Sequence, residues 1–148
     1  MIDTEQTPVG KDDATAVRIP RTIVNQLLHH AQQKEDREVC GLIGATALGP
    51  EHCYPIANVA PQPTTRYHMD PKQQIDALRT LRERGETLFA IYHSHPTTPA
   101  MPSATDRAEA NYPDTLYLIV SLNTKGVLDL RGYRICDGSA ESVELEIA

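Results

Sequence analysis

The residues of this chain that could do chemistry together crowd into one stretch, His93-Ser94-His95-Pro96-Thr97-Thr98-Pro99-Ala100-Met101-Pro102-Ser103-Ala104-Thr105-Asp106. His93 and His95 close an apolar run, Thr87 to His93, that reads as a strand. Side chains two apart on a strand share a face, so both imidazoles can reach one point in space. Imidazole suits zinc, and a catalytic zinc site takes three protein ligands and leaves one position open for water. The proline-rich loop is stiff and can bend back to deliver Asp106, from the first turn of a following helix, as a carboxylate third ligand. Each half also has a plainer reading. His-x-His can be two surface histidines, and Ser103-x-x-Asp106 can be a capping box whose side chains satisfy backbone N–H groups. Spacing alone leaves both open.

Positioning these residues falls to a chain that alternates strands and helices. Pro20 opens a helix whose apolar face is Ile23, Leu27 and Ala31, ending near Gln33. Val39 to Ala45 reads as a buried strand, Gly49-Pro50 as a turn, and His52 to Ala60 as the partner strand. Asp70 can cap a second helix that starts at Pro71, carries Ile75, Leu78 and Leu81 on one face, and stops at Gly85. A short helix runs from Ser103 to about Asn111. Thr115 to Leu122, Val127 to Cys136 and Ser142 to Ile147 complete the strands. About three helices mixed with strands imply an α/β sandwich around a mixed sheet. Strand order is not readable from the pattern.

Composition narrows the classes. With 148 residues, one domain is expected: residues 15–148, preceded by a flexible acidic tail over residues 1–14. The chain carries 14 Lys and Arg against 20 Asp and Glu, a net charge of −6, and the acids gather at the two ends. A nearly neutral body argues against a nucleic-acid partner. Leu88 to Tyr92 and Leu116 to Val120 are far shorter than the ~20 residues of a membrane span, and the polar start MIDTEQTPVGKDD does not read as a signal peptide. Cys40, Cys53 and Cys136 are odd in number and far apart, which fits neither a disulfide framework nor a zinc ribbon. A soluble protein of the reducing cytoplasm is the expectation.

His-Ser-His, seven residues, Ser, two residues, Asp resembles the signature of the JAMM (MPN+) zinc metalloprotease family, and Glu38-Val39-Cys40-Gly41 resembles its upstream Glu-x-Cys-Gly segment. The resemblance implies the MPN (cytidine-deaminase-like) fold, a mixed sheet flanked by about three helices. It also implies one Zn²⁺ per chain on His93, His95 and Asp106, with a water in the fourth position. Glu38 would be the general base and then acid, and Ser103 would donate to the oxyanion. Compact bacterial members pair with small ubiquitin-like (β-grasp) sulfur-carrier proteins and hydrolyse the amide bond after the carrier's terminal diglycine, for example to release cysteine. That is the function the resemblance implies here. Tyr67-His68-Met69-Asp70 would border the substrate groove.

Two other classes compete. A non-catalytic MPN-type interaction module would have no reason to keep all five residues. A protein resembling the DNA-repair-associated RadC family shares the His-x-His, Ser-x-x-Asp spacing, but here the acidic ends oppose DNA. Among further candidates, Glu35 reads as part of a solvated helix end, and Cys40 as a small buried hydrophobe rather than a nucleophile. His29, His30, His52 and His68 read as surface or packing residues, and Arg79, Arg82 and Arg84 as a solvated helix face. A homodimer through exposed strands or helices stays open.

Overall fold

A computed structural model describes residues 16–148; the acidic tail expected over residues 1–14 lies outside them. The elements are β1 (Val17–Ile19), α1 (Arg21–Gln33), β2 (Cys40–Thr46), β3 (Gly49–Ile56), α2 (Pro71–Glu83), β4 (Thr87–His95), α3 (Ala104–Glu109), β5 (Leu116–Ser121), β6 (Asp129–Cys136), β7 (Ser139–Val143) and β8 (Leu145–Ile147). Six strands form one mixed sheet in the order β3-β2-β4-β5-β6-β7. Only β4 and β5 run parallel; the other neighbours are antiparallel.

Burial follows from this order. The central strands β2, β4 and β5 are covered on both faces, so they read as continuous apolar runs. On one face Ala90, Tyr92, Leu116, Leu118 and Val120 meet Ile23, Val24, Leu27 and Ala31 of α1. On the other, Leu42, Ile91, Tyr117 and Ile119 meet Ala77 and partly buried Leu78 of α2. β3 is an edge strand and accommodates Pro50 and Pro55, which a central strand would not.

Two glycines of β2 mark places where another group comes too close for a side chain. A Cβ on Gly41 would meet Tyr54 O and Tyr92 Oη at 2.5 Å, and one on Gly44 would meet Glu86 Oε1 at 2.1 Å. Glu86 is buried there, accepts the Tyr54 hydroxyl at 2.7 Å and pairs with His52.

α1 and α2 form where the apolar period and caps place them, with Asp70 accepting from Gln73 N–H at 2.9 Å and Pro71 in the first turn. The face of α2 is narrower than expected. It centres on Ala77 and Leu81, so Leu78 falls at its rim and Ile75, one turn earlier, is 58% exposed. The expected strand over 142–147 is two strands. After Val143 the chain leaves the large sheet, and Leu145–Ile147 pairs in parallel with Val17–Ile19. This small second sheet reaches α1, because the Arg21 N–H finds the Ala148 carbonyl at 2.9 Å. None of the described helices is long and apolar enough to cross a membrane.

Candidate metal centre and active site

Register explains how a glutamate and two histidines from distant parts of the chain meet. β2 and β4 are antiparallel with Cys40 opposite His93. The pairing continues past the end of β2: Ser94 N–H donates to Val39 O at 3.0 Å, and Val39 N–H donates to Ser94 Oγ at 2.9 Å. Glu38 therefore lies level with His95. Because side chains alternate, Glu38, His93 and His95 share the face toward the end of which the 96–103 loop returns. Glu38 is held by its backbone as well, with its N–H on Pro63 O at 2.8 Å and its carbonyl on Asn58 Nδ2 at 3.0 Å.

The loop brings Asp106 in through a helix start. Ser103 Oγ accepts from Asp106 N–H at 3.0 Å and Asp106 Oδ2 accepts from Ser103 N–H at 2.9 Å, a reciprocal capping box. Asp106 Oδ2 then lies 3.2 Å from His93 Nε2 and 3.1 Å from His95 Nε2, and the two imidazole nitrogens are 3.2 Å apart. So Ser103-x-x-Asp106 caps the helix and also places its carboxylate against both histidines. One reading does not exclude the other.

Ligand atoms of Glu38, His93, His95 and Asp106 all lie within 4.8 Å of one another. The three shortest separations form a nearly equilateral triangle. A tetrahedral zinc with N and O bonds of 2.0–2.1 Å has ligand atoms about 3.3 Å apart, so this triangle fits one face of such a site. The donor set, two imidazoles and a carboxylate, is of the catalytic kind. His95 Nδ1–H donates to Pro99 O at 2.8 Å, which leaves Nε2 as a lone-pair donor aimed at the centre. Among the described residues, the buried His93 Nδ1 and Glu38 Oε1 find no partner, so the pocket holds polar groups that its own side chains do not satisfy. Neutral nitrogens and an ionised carboxylate converging in a buried space are what a divalent cation requires.

The charges of the cluster pull in different directions. Burial lowers the His93 pKa, outweighing Asp106. For His95 burial also acts downward, but the bonds to Asp106 and Pro99 outweigh it and the pKa is raised. Burial pushes Asp106 upward, yet hydrogen bonds from His93 and His95 hold it well below the usual carboxylate range. Glu38, buried and close to Asp106, is pushed up to about 8 in spite of His95. Beside Asp106 opens a cavity of about 170 Å³, walled by Tyr67, Met69, Ile91, Tyr112 and Tyr117.

Several residues that the sequence left in the background take part. Ser94, between the histidines, faces away from them and clamps Val39, which holds Glu38 in register. Its signal was a hydroxyl inside an otherwise apolar strand. Pro99 acts through its carbonyl, which no side-chain pattern reveals. Glu35 is exposed and is not among the residues that converge at the centre. The Cys40 thiol is pushed up to about 12 by burial and lies against Ile56 O, so it packs and does not attack. His30 bonds Tyr92 Oη at 2.8 Å, His52 pairs with Glu86, and His68 lies at the cavity rim. Arg84 donates to Tyr54 Oη at 3.2 Å, and Arg79 pairs with Asp76 at 3.2 Å.

Residues 20–135 match the family of prokaryotic homologs of the JAB domain. The chain belongs to this family of JAMM-type peptidases. This JAMM peptidase is 35% identical over 119 residues, 79% of its length and 81% of the relative's, to a CysO-cysteine peptidase of Mycobacterium tuberculosis. It is 34% identical over 103 residues, 66% and 74% of the two chains, to a desampylase of Haloferax volcanii. The solution structure of protein DSY2949 from Desulfitobacterium hafniense superposes with a TM-score of 0.80 at 31% identity, covering 89% of this peptidase and 92% of that chain. A JAB1/MPN domain protein from Archaeoglobus fulgidus, 18% identical, shares the fold with a TM-score of 0.58 over 90% of this chain and 98% of its own.

Proposed function

We propose that this chain hydrolyses the amide bond that follows the C-terminal diglycine of a small ubiquitin-like sulfur-carrier protein, for example to release cysteine from a carrier–cysteine adduct. The observation that carries the proposal is the convergence of Glu38, His93, His95 and Asp106 within 4.8 Å beside an open cavity. The names of the relatives, a CysO-cysteine peptidase and a desampylase, support a small protein conjugate as the substrate.

In this reading His93 Nε2, His95 Nε2 and Asp106 Oδ2 would hold one zinc ion. Bound there, zinc supplies Lewis acidity toward a carbonyl and makes a water acidic near neutral pH. Glu38 takes the proton of the attacking water and passes it to the leaving amine, a role typically worth ~10²–10⁴ in rate. A carboxylate whose proton affinity is raised by burial is suited to both halves of that transfer. Ser103 Oγ already accepts the Asp106 N–H, so its own hydroxyl proton is free to donate to the oxyanion, a contact worth roughly 10²–10³. The cavity beside Asp106 takes the extended tail, where glycine, lacking a side chain, lets backbone approach the reacting centre. A cytoplasmic setting goes with this substrate.

The test is intact-mass spectrometry of a sulfur carrier bearing a C-terminal cysteine, incubated with the chain and zinc, beside Glu38→Gln and chelator controls. Loss of one cysteine only with the wild type and metal is expected. No loss with one zinc bound per chain would remove the cysteine adduct as substrate. No loss and no zinc would favour an interaction module.

A further inference from the structure

The three side chains at the centre are not anchored alike. Asp106 is fixed by the capping box, and His95 by the bond from Nδ1 to Pro99 O at 2.8 Å. Among the described residues His93 finds no such bond, for its buried Nδ1 meets no partner there. Its ring instead lies against Tyr67, with centroids 4.5 Å apart and planes 30° from parallel. The torsion that turns an imidazole is broad, so a ligating histidine needs either a bond at its second nitrogen or a surface against its face.

Tyr67 is itself well placed to be that surface, because the backbone on both sides of it is pinned by one side chain. Asn58 Nδ2 donates to Arg66 O at 3.1 Å, and Asn58 Oδ1 accepts from His68 N–H at 2.9 Å. The same Nδ2 donates to the Glu38 carbonyl, which ties the Tyr67 segment to the stretch before β2 that carries the Glu38 carboxylate. Val59 N–H on His68 O at 2.8 Å and the bridge between Asn58 and Met69 complete the frame.

We propose that Tyr67 is a positioning residue for His93: its ring holds the imidazole by stacking, as the Pro99 carbonyl holds His95 by a hydrogen bond, and so sets the affinity for the metal. The inference rests on the reading of His93, His95 and Asp106 as a metal site. The hydroxyl plays no part in it; the ring does.

The test strips the full chain of metal and titrates Zn²⁺ against a chromophoric chelator, then records the visible spectrum of the Co²⁺ form. Tyr67→Phe keeps the ring and is expected to bind Zn²⁺ within about twofold of the wild type with the same Co²⁺ bands. Tyr67→Leu keeps an apolar side chain without the ring face; it is expected to lose about tenfold or more in affinity and to shift the bands. Melting of the metal-free proteins reports packing separately, and Tyr67→Met replaces Tyr67→Leu if the latter does not fold. Unchanged affinity and bands without the ring would overturn the proposal, as would an equal loss in Tyr67→Phe. A wild type that binds no metal would sink the metal-centre reading together with it, whereas tight wild-type binding indifferent to residue 67 would sink this inference alone.

Discussion

Glu38→Gln should stabilise the metal-free protein while lowering turnover of the zinc-loaded protein by ~10²–10⁴. Glu38 is 3% exposed, its Oε1 finds no partner among the described residues, and Asp106 is a like charge beside it. Burial pushes its carboxyl from the ordinary 4.5 up to about 8 in the fold, with His95 opposing the rise and Asp106 adding to it. Between those values the folded chain retains a proton that the unfolded chain has released, so stability falls as the pH rises across the window. Below it both forms are protonated and the cost is absent; above it both are ionised and the cost is complete. At about 1.4 kcal/mol per pKa unit the full shift corresponds to on the order of 5 kcal/mol. Solvent relaxation at the mouth of the site reduces this, and a gain of about 1–3 kcal/mol is expected for the isosteric amide above pH 8. The assay is urea unfolding of both proteins with chelator present, from pH 4.5 to 8.5. The difference in unfolding free energy should start near zero and grow with pH. A difference that stays flat, or a variant less stable than the wild type, would refute the argument.

Other outcomes follow from single contacts. Ser94→Ala removes the acceptor of the buried Val39 N–H and should cost about 1–3 kcal/mol in urea unfolding, with turnover falling as Glu38 loses its clamp. Ser103→Ala should cost only about 1 kcal/mol of stability through the lost cap, but roughly 10²–10³ in kcat. Equal, small effects on both would remove Ser103 from the oxyanion role. Gly44→Ala pushes a methyl into Glu86 Oε1 and should destabilise by about 1–3 kcal/mol or more, read as a lower urea midpoint.

What the sequence made legible was local or tightly spaced. The caps of α2, the face of α1 and the alternation that puts His93 and His95 together all depend on neighbours within a few residues. Strand order and the parallel pairing of β1 with β8 do not, because three-residue strands from opposite ends of the described chain carry no periodic signal. The partners that steady the site were hidden for another reason. Pro99, Pro63 and Val39 act through backbone atoms, and Asn58 joins two separate segments, Glu38 and the stretch 66–68, that only the tertiary fold brings together. Ile75 misled because the apolar face of α2 is set by what the sheet can cover, and it covers Ala77 and Leu81.

β2 poses a problem that its burial creates. Where one face of a strand is polar, a slip of one residue is punished by water; Cys40 to Ala45 are buried throughout, so hydrophobicity hardly distinguishes one register from the next. The discrimination falls to two absent side chains. Shift the strand by one or two residues and Val39, Cys40, Leu42 or Ile43 must occupy the gap beneath Tyr92 that only Gly41 fits, while Glu86 collides with whatever replaces Gly44. Glu38 rides on that alignment, and a one-residue slip would turn it to the opposite side of the sheet from His93 and His95. Gly41 and Gly44, which carry no side chain of their own, thus act as the teeth of a key, and a misaligned β2 would yield a protein with a full apolar core and no Glu38 beside its two histidines.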